Sequence, residues 1–347
     1  MLTIIQGKGT LPREQAGRNI HYDDASLSNY KKVEQGDFII HLRSFEGGLE
    51  MANEAGIVSP AYTILRCKRP HSSLFYDAYF HTDEFINHNL SKSVEGIRDG
   101  RQISYEAFKW LGIPYCEPTE QEKISNLFAA LNERIAKQRD LIEALKKYKR
   151  GLLMHYFSDD KTQLWTQCSV SQIGKVITGI TPPTNDRSNY DGDLLFCAPG
   201  DVGEQKYISS TEKRVSPKGF ALGRPLPPNS VIVTCIGLIG KLGIAKTSMI
   251  TNQQINALVV SEGFDHEFIY YAFENFFPEY RSKVSMQTLP ILSKSEFEKL
   301  MIKVPDLDVQ HKISSHLAAM DRRIEHTQQE LNALIEHRRG IMQQLFI

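Results

Sequence analysis

A long stretch of this chain occurs twice, and this duplication limits the possible architectures more than the composition does. Residues 121–157 read QEKISNLFAALNERIAKQRDLIEALKKYKRGLLMHYF, and residues 310–346 read QHKISSHLAAMDRRIEHTQQELNALIEHRRGIMQQLF. The two copies align without a gap, so that Gln310 stands 189 positions after Gln121 and Phe346 stands 189 positions after Phe157. A repeated unit of this kind predicts a duplicated two-part architecture in which each globular segment is followed by one long helix.

Apolar residues recur in each copy at alternating intervals of four and three residues, which is the spacing of a heptad seam. One polar residue interrupts each seam at the same rung, Gln138 in the first copy and Thr327 in the second. This match favours pairing of the two helices within the chain over packing on separate domains or homodimerisation. The expected helix-pair interface consists of Ile124, Phe128, Leu131, Ile135, Gln138, Ile142, Leu145, Ile313, Leu317, Met320, Ile324, Thr327, Leu331 and Leu334.

Composition excludes several classes of protein. The 347 residues carry 41 basic and 41 acidic side chains, so any basic surface must be local. The five cysteines are far apart and form no CxxC pair, which argues against a zinc site and a disulfide framework. We expect no bound metal. No apolar run approaches the length of a membrane span, and the first residues lack the layout of a signal peptide, so a cytoplasmic protein without a membrane partner is predicted.

The duplication extends into the globular segments, which read as mostly β. Residues 33–66 can be aligned with residues 226–260, and both predict a strand, a Gly-containing hairpin, a second strand, a polar turn and a third strand. A more helical aromatic segment follows in each half. Each half is expected to close with a short apolar strand, at 110–114 and 300–304, before the long helix begins. The predicted fold class is therefore α+β, with two mostly β domains, each followed by one long α-helix.

The predicted domain boundaries follow from this alignment. A first globular domain occupies 1–115, a central helical region 116–158, a second globular domain 159–305, and a distal helical region 306–347. The second half carries a longer loop region rich in Gly, Pro, Asn and Asp. Met1 aligns near Ile173, so we expect the first domain to be short at its N-terminus. A shared framework with divergent loops suits two modules that bind different ligands.

Several segments, in this order, resemble the specificity subunit of Type I restriction-modification systems. They are SQIGKVITGITPP, NSVIVTCIGLIGKLGIAK, TNQQINALV and LPILSKSEFEKLMIKVP, together with the helix ends KRGLLMHYF and RRGIMQQLF. The resemblance covers nearly the whole chain. It implies two target-recognition domains with a pseudo-two-fold internal repeat, each reading one half of a bipartite double-stranded DNA site. It also implies that the two helices form an antiparallel coiled-coil spacer.

The same resemblance implies a non-catalytic scaffold for two methyltransferase (modification) subunits, to which restriction (translocase-nuclease) subunits can be added. The complex it resembles is an adenine-N6 DNA methyltransferase and endonuclease. The residues agree with the absence of catalysis, because neither TPPT at 181–184 nor PLPPN at 225–229 supplies the N/D-P-P-Y/F loop that holds a flipped base. No phosphate-binding P-loop occurs either. We therefore expect S-adenosylmethionine, ATP and Mg to bind only to partner subunits.

DNA contact requires basic groups for phosphates and polar side chains for base edges. The strongest candidates occupy matched places in the two modules, since Arg43 and Ser44 align with the hairpin at 237–241, and residues 98–102 align with residues 286–288. A solvated surface group is the ordinary alternative for each. The full set of expected DNA-binding residues is Lys8, Arg13, Arg43, Ser44, Arg98, Arg101, Gln102, Thr181, Arg187, Lys213, Arg214, Lys241, Gln287 and Thr288.

One alternative from a different class stays open at this point. A two-headed coiled-coil adaptor that bridges proteins without reading DNA would also explain the duplicated helices and the zero net charge. The divergent loops on a shared framework favour DNA recognition over that adaptor.

Overall fold

The structure is a computed structural model that describes residues 1–15, 29–41, 48–95, 102–203, 205–284 and 290–346. The chain divides into two compact units. Unit 1 consists of Met1–Leu141 and Thr327–Ile347, and unit 2 consists of Ile142–His326. The division falls inside both long helices, so each unit contains part of each helix.

Unit 1 contains short antiparallel strands and one aromatic helix. Its elements are β1 Leu2–Ile5, β2 Gly9–Pro12, β3 Lys31–Val33, β4 Phe38–Ile40, β5 Leu49–Met51, β6 Gly56–Val58, β7 Thr63–Leu65, α1 Ser73–Phe80, β8 Val94–Glu95, β9 Gln102–Ile103, α2 Tyr105–Phe108 and the first part of α3 Pro118–Tyr156. Strand β4 pairs with β5 on one side and β7 on the other, while β1 pairs with β2, β3 with β6, and β8 with β9.

Unit 2 is larger and has a more extensive sheet. Its elements are α4 Asp159–Thr162, β10 Thr166–Ser169, α5 Val170–Ile173, β11 Gly174–Thr178, β12 Tyr190–Cys197, β13 Tyr207–Ile208, β14 Lys213–Val215, α6 Pro217–Leu222, β15 Val231–Thr234, β16 Leu242–Ala245, β17 Met249–Thr251, β18 Ile255–Val260, α7 His266–Val284, α8 Lys294–Lys299, β19 Met301–Val304 and the first part of α9 Leu307–Leu345. The strands form a five-stranded sheet in the order β11-β18-β15-β16-β13, a three-stranded sheet β14-β12-β17, and the pair β10-β19.

Each unit has a core in which one helix covers a sheet and the long helices complete the packing. In unit 1, aromatic residues of α1 pack with Phe38 of β4, Phe128 of α3 and Phe346 after α9. In unit 2, Phe268 and Tyr271 of α7 are fully buried against strands β15 and β18 and against both long helices. Burial of these large side chains supplies the main driving force for folding.

Both long helices begin with the same polar contact. The side-chain Oε1 of Gln121 accepts a hydrogen bond from the backbone N–H of Ser72 (2.9 Å), and its Nε2 donates to the carbonyl of Cys116 (2.8 Å). Gln310 makes the matching bonds with the backbone N–H of Asp265 (2.9 Å) and the carbonyl of Pro305 (2.8 Å). These glutamine side chains are buried, so each fixes the start of its helix to the sheet-covering segment of its unit.

The predicted seam residues of the long helices are all buried or half-buried. In unit 1, Gln138 Nε2 donates to the Thr327 carbonyl (3.2 Å) and to Glu330 Oε2 (2.7 Å). In unit 2, the hydroxyl of Tyr156 lies 2.5 Å from Nδ1 of His316. The two long helices therefore contact each other within each unit.

The structure differs from the predicted strands in two places. One of the two strands predicted before the long helices is missing, and each polar turn contains a short strand that was not predicted. Residues 300–304 contain β19, but residues 110–114 form no strand, and Trp110 is 82% exposed. Strand β19 is held by β10, whereas no described strand pairs with 110–114, and an apolar segment without a partner gains no ladder hydrogen bonds. The polar turns also each contain an additional short strand, β6 in unit 1 and β17 in unit 2.

Candidate nucleic-acid interface

In unit 2, two of the predicted DNA-binding residues lie together on an open surface. Lys213 and Arg214 are both exposed on β14, an edge strand, while Val215 beside them is buried. They line a cavity of about 600 Å³ together with Thr184, Tyr190, Asp191, Gly192 and Glu212. The cavity thus presents cationic, acidic and hydroxyl groups side by side. Such a mixture can contact phosphates and also the donors and acceptors of base edges.

The loop before β12 is held in place by its own hydrogen bonds. The hydroxyl of Tyr190 donates to the carbonyl of Pro182 (2.6 Å), and the side chain of Asn189 donates to the carbonyl of Pro183 (3.0 Å). Thr181 donates to Oε1 of Gln253 (2.6 Å). Two of these hydrogen bonds are local, and the third ties this predicted reading loop to a side chain 72 positions away.

Arg187 lies in the same loop, on a short 3₁₀ helix that begins after Asp186. The carboxylate of Asp186 accepts a hydrogen bond from the backbone N–H of Ser188 (3.0 Å) and pairs with Lys218 (2.7 Å). Hydrogen bonds from Lys218 and Ser188 lower the pKa of Asp186 to about 2. Arg187 itself is exposed, and its guanidinium is available for an anionic ligand.

The hairpin between β15 and β16 carries Lys241. Gly240 has a φ of +78°, and a Cβ there would lie 2.5 Å from the ring of Phe277, so the tight turn requires glycine. Arg281 of α7 donates from Nη1 to the carbonyls of Ile239 (3.4 Å) and Gly240 (3.3 Å). The hairpin is therefore anchored to the underlying helix, which presents Lys241 from a fixed backbone.

In unit 1, the turn that carries Lys8 is built around a buried carboxylate. Glu50 of β5 accepts hydrogen bonds from the backbone N–H groups of Gly7 (2.7 Å) and Gly9 (3.0 Å). The side chain of Asn53 donates to the carbonyl of Lys8 (2.7 Å). These bonds satisfy the backbone of the turn and leave the Lys8 side chain exposed.

Glu50 also organises two histidines. Its Oε1 lies 3.3 Å from Nε2 of His81 and 3.6 Å from Nε2 of His41. Burial alone would raise the pKa of Glu50, but hydrogen bonds from His41, His81 and Gly7 outweigh it and lower that pKa to about 2. For His81, burial alone would lower the pKa, but contact with Glu50 and Asp77 raises it to about 9. The Glu50–His81 pair is therefore ionic at neutral pH.

The remaining predicted residues are distributed as follows. Arg13 lies half-buried in a 3₁₀ turn after β2, and Gln102 is exposed on β9, opposite Glu95. The predictions that fall outside the described residues are Arg43, Ser44, Arg98, Arg101, Gln287 and Thr288.

The sequence patterns do not reveal several residues that position the predicted DNA-binding side chains of each unit. Glu50 carries a detectable signal, because a carboxylate in the otherwise apolar β5 must find a buried partner. Arg281 carries none, since its role depends on a contact about forty residues away. Tyr190 and Asp191 border the cavity, and Asp191 has a φ of +59°, which aspartate tolerates better than most residues.

Two further observations concern other classes of site. Among the described residues, no group of three or more His, Cys, Asp and Glu side chains is arranged to hold a metal ion. No helix in the described part of the chain combines the length and apolar character needed to cross a membrane.

Two solved structures of proteins from Type I restriction-modification systems have similar folds. A chain from a structure of the type I R-M system, reported for its complex assembly and conformational transition, has a TM-score of 0.61 and 18% sequence identity, covering 91% of this chain and 83% of that chain. The S subunit of a Type-I restriction-modification system from M. genitalium has a TM-score of 0.61 and 16% identity, covering 91% and 84%. At these identities the likeness concerns the fold.

Sequence comparison identifies the family. The specificity subunit of Type I restriction enzyme MjaIX from Methanocaldococcus jannaschii is 29% identical over 178 residues, which cover 50% of this chain and 41% of that subunit. The HindI specificity subunit from Haemophilus influenzae is 29% identical over 108 residues, covering 30% and 24%. The matches thus span less than half the length of either relative. The family model for the Type I restriction modification DNA specificity domain matches residues 163–337, half of the chain, and the chain belongs to this family.

Proposed function

We propose that this chain is the sequence-specific DNA-recognition subunit of a Type I restriction-modification complex. The observation that carries the proposal is the family match over residues 163–337, which includes the cavity lined by Lys213 and Arg214. Family membership favours this function over the protein-bridging adaptor. Each unit would read one half of a bipartite double-stranded DNA site through its loops.

Charge at the unit 2 cavity supports direct reading of bases. Lys213 and Arg214 supply cations for phosphates or for guanine, and Asp191 and Glu212 supply acceptors for the amino group of cytosine. Hydrogen bonds hold the loop before β12, and Arg281 holds the hairpin between β15 and β16. These contacts limit the conformations of the surface before DNA binds. Such preorganisation reduces the entropic cost of forming a specific complex.

The long helices would set the distance between the two half-sites as an antiparallel coiled coil. This geometry is supported by the order of contacts within each unit, since positions later in α3 contact positions earlier in α9. In unit 1, Phe128 lies near Arg338 and Gln138 near Thr327. In unit 2, Lys149 lies near Asp321 and Tyr156 near His316. Each long helix has 39 residues and spans roughly 58 Å, more than the roughly 34 Å of one turn of B-DNA.

Catalysis would belong to partner subunits. The chain would dock two methyltransferase subunits, which would bind S-adenosylmethionine. Restriction subunits that use ATP and Mg could then be added. The exposed basic residues near the ends of the long helices are available for these contacts with protein or DNA.

The test is methylation of DNA by the methyltransferase subunit of the same system, co-expressed with and without this chain. Methylation at a split site only when the chain is present is the expected result. Loss of sequence preference after alanine replacement of Lys213 and Arg214, at one half-site only, would assign that half-site to unit 2. Failure to obtain sequence-dependent methylation or DNA binding with the partner would overturn the proposal.

The spacer role has its own test. Inserting one heptad, about seven residues, at both Gln138 and Thr327 adds about 10 Å to the helix pair and should lengthen the recognised spacer by about three base pairs. The half-sites should stay the same. An equal insertion in the exposed turn at 261–263 is the matched control and should leave the spacer unchanged. An unchanged spacer in the helix variant would refute the ruler role.

A further inference from the structure

A second cavity, of about 260 Å³, lies in unit 1 between the end of α1 and the last turns of α9. Its lining combines two arginines and a histidine with one carboxylate, two neutral polar side chains and two apolar ones, and consists of His81, Thr82, Asp83, Ile335, Arg338, Arg339, Met342 and Gln343. None of these residues belongs to the DNA-binding set described above. The combination of cations and apolar walls suits an anion that carries a hydrocarbon stem.

Arg338 is the unsatisfied group in this cavity. Its guanidinium lies 5.9 Å from the centre of the Phe128 ring, and its Nε is buried with no hydrogen-bond partner among the described residues. Burial lowers the pKa of Arg338, and Asp77 opposes this only in part. Asp77 in turn lies 3.7 Å from His81. A guanidinium that lines a cavity and meets no carboxylate at ion-pair distance among the described residues points to an anionic ligand.

Unit 2 has a cation at the matching position, and there the cation is paired with carboxylates. Lys149 stands 189 positions before Arg338, at the matching rung of the other long helix. Its Nζ pairs with Glu274 (2.9 Å) and Asp321 (2.7 Å), and it also lies over the ring of Tyr271. The corresponding site in unit 2 is therefore neutralised by two carboxylates from its own chain.

The counterparts of those two carboxylates in unit 1 are not acidic. Asp321 corresponds to Asn132 at the offset of 189. Glu274 lies nine residues beyond Asp265, and His81 lies nine residues beyond Ser72, the residue that makes the same hydrogen bond to the helix glutamine. Unit 1 thus keeps the cation but replaces both carboxylates with an amide and an imidazole.

We propose that this cavity of unit 1 accepts a carboxylate side chain from a partner polypeptide, an aspartate or glutamate of the methyltransferase subunit. The assignment rests on the proposed function for the identity of that partner. It rests on the chain itself for the chemistry, because unit 2 meets the matching cation with carboxylates. Ile335 and Met342 would pack against the methylene groups of the incoming side chain.

A DNA phosphate fits this cavity less well. In a duplex each phosphate is flanked by sugars and by neighbouring phosphates, so it cannot reach a nitrogen buried inside a small cavity. A protein side chain, in contrast, ends in a single carboxylate on a narrow stem and can enter the cavity that Arg338 and Arg339 line. The partner is therefore expected to insert one acidic residue as an anchor.

The experiment compares variants of the full chain for binding to the purified methyltransferase subunit, with thermal unfolding measured in parallel. Arg338→Met removes the cation but keeps an apolar side chain, and Asn132→Asp places a carboxylate at the position that corresponds to Asp321 of unit 2. Both should weaken binding at least tenfold while leaving the melting temperature unchanged or higher. Lys137→Met removes an exposed cation of α3 in the same unit and should bind like the wild type.

The outcomes separate this inference from the proposed function. Wild-type binding that neither variant weakens overturns the anchor and leaves the proposed function intact. Weaker binding with a lowered melting temperature in Arg338→Met, and no effect of Asn132→Asp, makes Arg338 a structural residue and also overturns the anchor. Loss of DNA affinity in Arg338→Met without the partner assigns the cavity to phosphate instead. No binding of the wild type to the methyltransferase subunit overturns the proposed function and the anchor together.

Discussion

Replacing Glu50 with glutamine tests whether the Lys8 turn depends on a buried ionic network. Glu50 is almost fully buried and holds the backbone of Gly7 and Gly9 as well as His81. Glutamine has nearly the same shape but no charge, and its amide nitrogen cannot accept these hydrogen bonds. We expect Glu50→Gln to loosen β5, the turn and the start of the sheet in unit 1.

The stability lost in Glu50→Gln can be worked out from the pKa of the Glu50 carboxyl. A group whose pKa falls from 4.5 to about 2 on folding contributes about 3 kcal/mol of stability at neutral pH. The raised pKa of His81 reflects much of the same contact, so the two effects are not added. A loss of about 3 kcal/mol is a large part of the stability of a typical domain.

The pH dependence has a definite sign. The contribution of Glu50 is present above its unfolded pKa of 4.5 and is lost as the pH falls through about 2. The contribution of His81 is fully present below its unfolded pKa of 6.5 and is lost as the pH rises through about 9. The difference between wild type and Glu50→Gln should therefore be largest between pH 4.5 and 6.5 and should shrink on both sides.

Amide hydrogen exchange is the suitable assay, because a chain with two compact units need not unfold in one step. A loss of about 3 kcal/mol predicts protection factors about a hundredfold lower in β4 and β5, with strands β15 and β18 of unit 2 unchanged. Glu133→Gln, which removes an exposed carboxylate paired with Lys137, is the control and should leave protection unchanged. A decrease of less than threefold in β4 and β5 at pH 6 would refute the reasoning.

Three further variants test other parts of the structure. Alanine at both Lys213 and Arg214 should weaken DNA binding and reduce the slope of log affinity against log salt by about two, measured by titration at several salt concentrations. Gln310→Ala leaves a buried backbone N–H without its acceptor and should cost about 1 to 3 kcal/mol, measured by hydrogen exchange of the amides in unit 2. Gly240→Ala combines a positive φ with a clash against Phe277 and should destabilise the hairpin by about 2 kcal/mol, seen as faster exchange of its amides.

The sequence predicts the long helices well because their signal is local and repeated. A heptad seam of seven positions, written twice, leaves few alternatives. The strand at 110–114 was predicted wrongly because apolar composition says nothing about whether a partner strand is present. The network around Glu50 and the tie from Arg281 to the hairpin were missed for a related reason. Their contacts join residues about forty positions apart, and no local pattern encodes such pairs.

The way the helices begin explains how the loops can diverge while the framework is kept. Gln121 and Gln310 bind backbone groups, the N–H of Ser72 or Asp265 and the carbonyl of a residue five positions earlier. These bonds depend on the path of the main chain and not on the side chains at the contacted positions, which differ between the units. The two units can therefore differ at the contacted positions and still share the backbone path and the buried glutamine. Loops that leave this path undisturbed can change length and sequence, and under the proposed function also the DNA half-site, at little cost to the attachment of the helix.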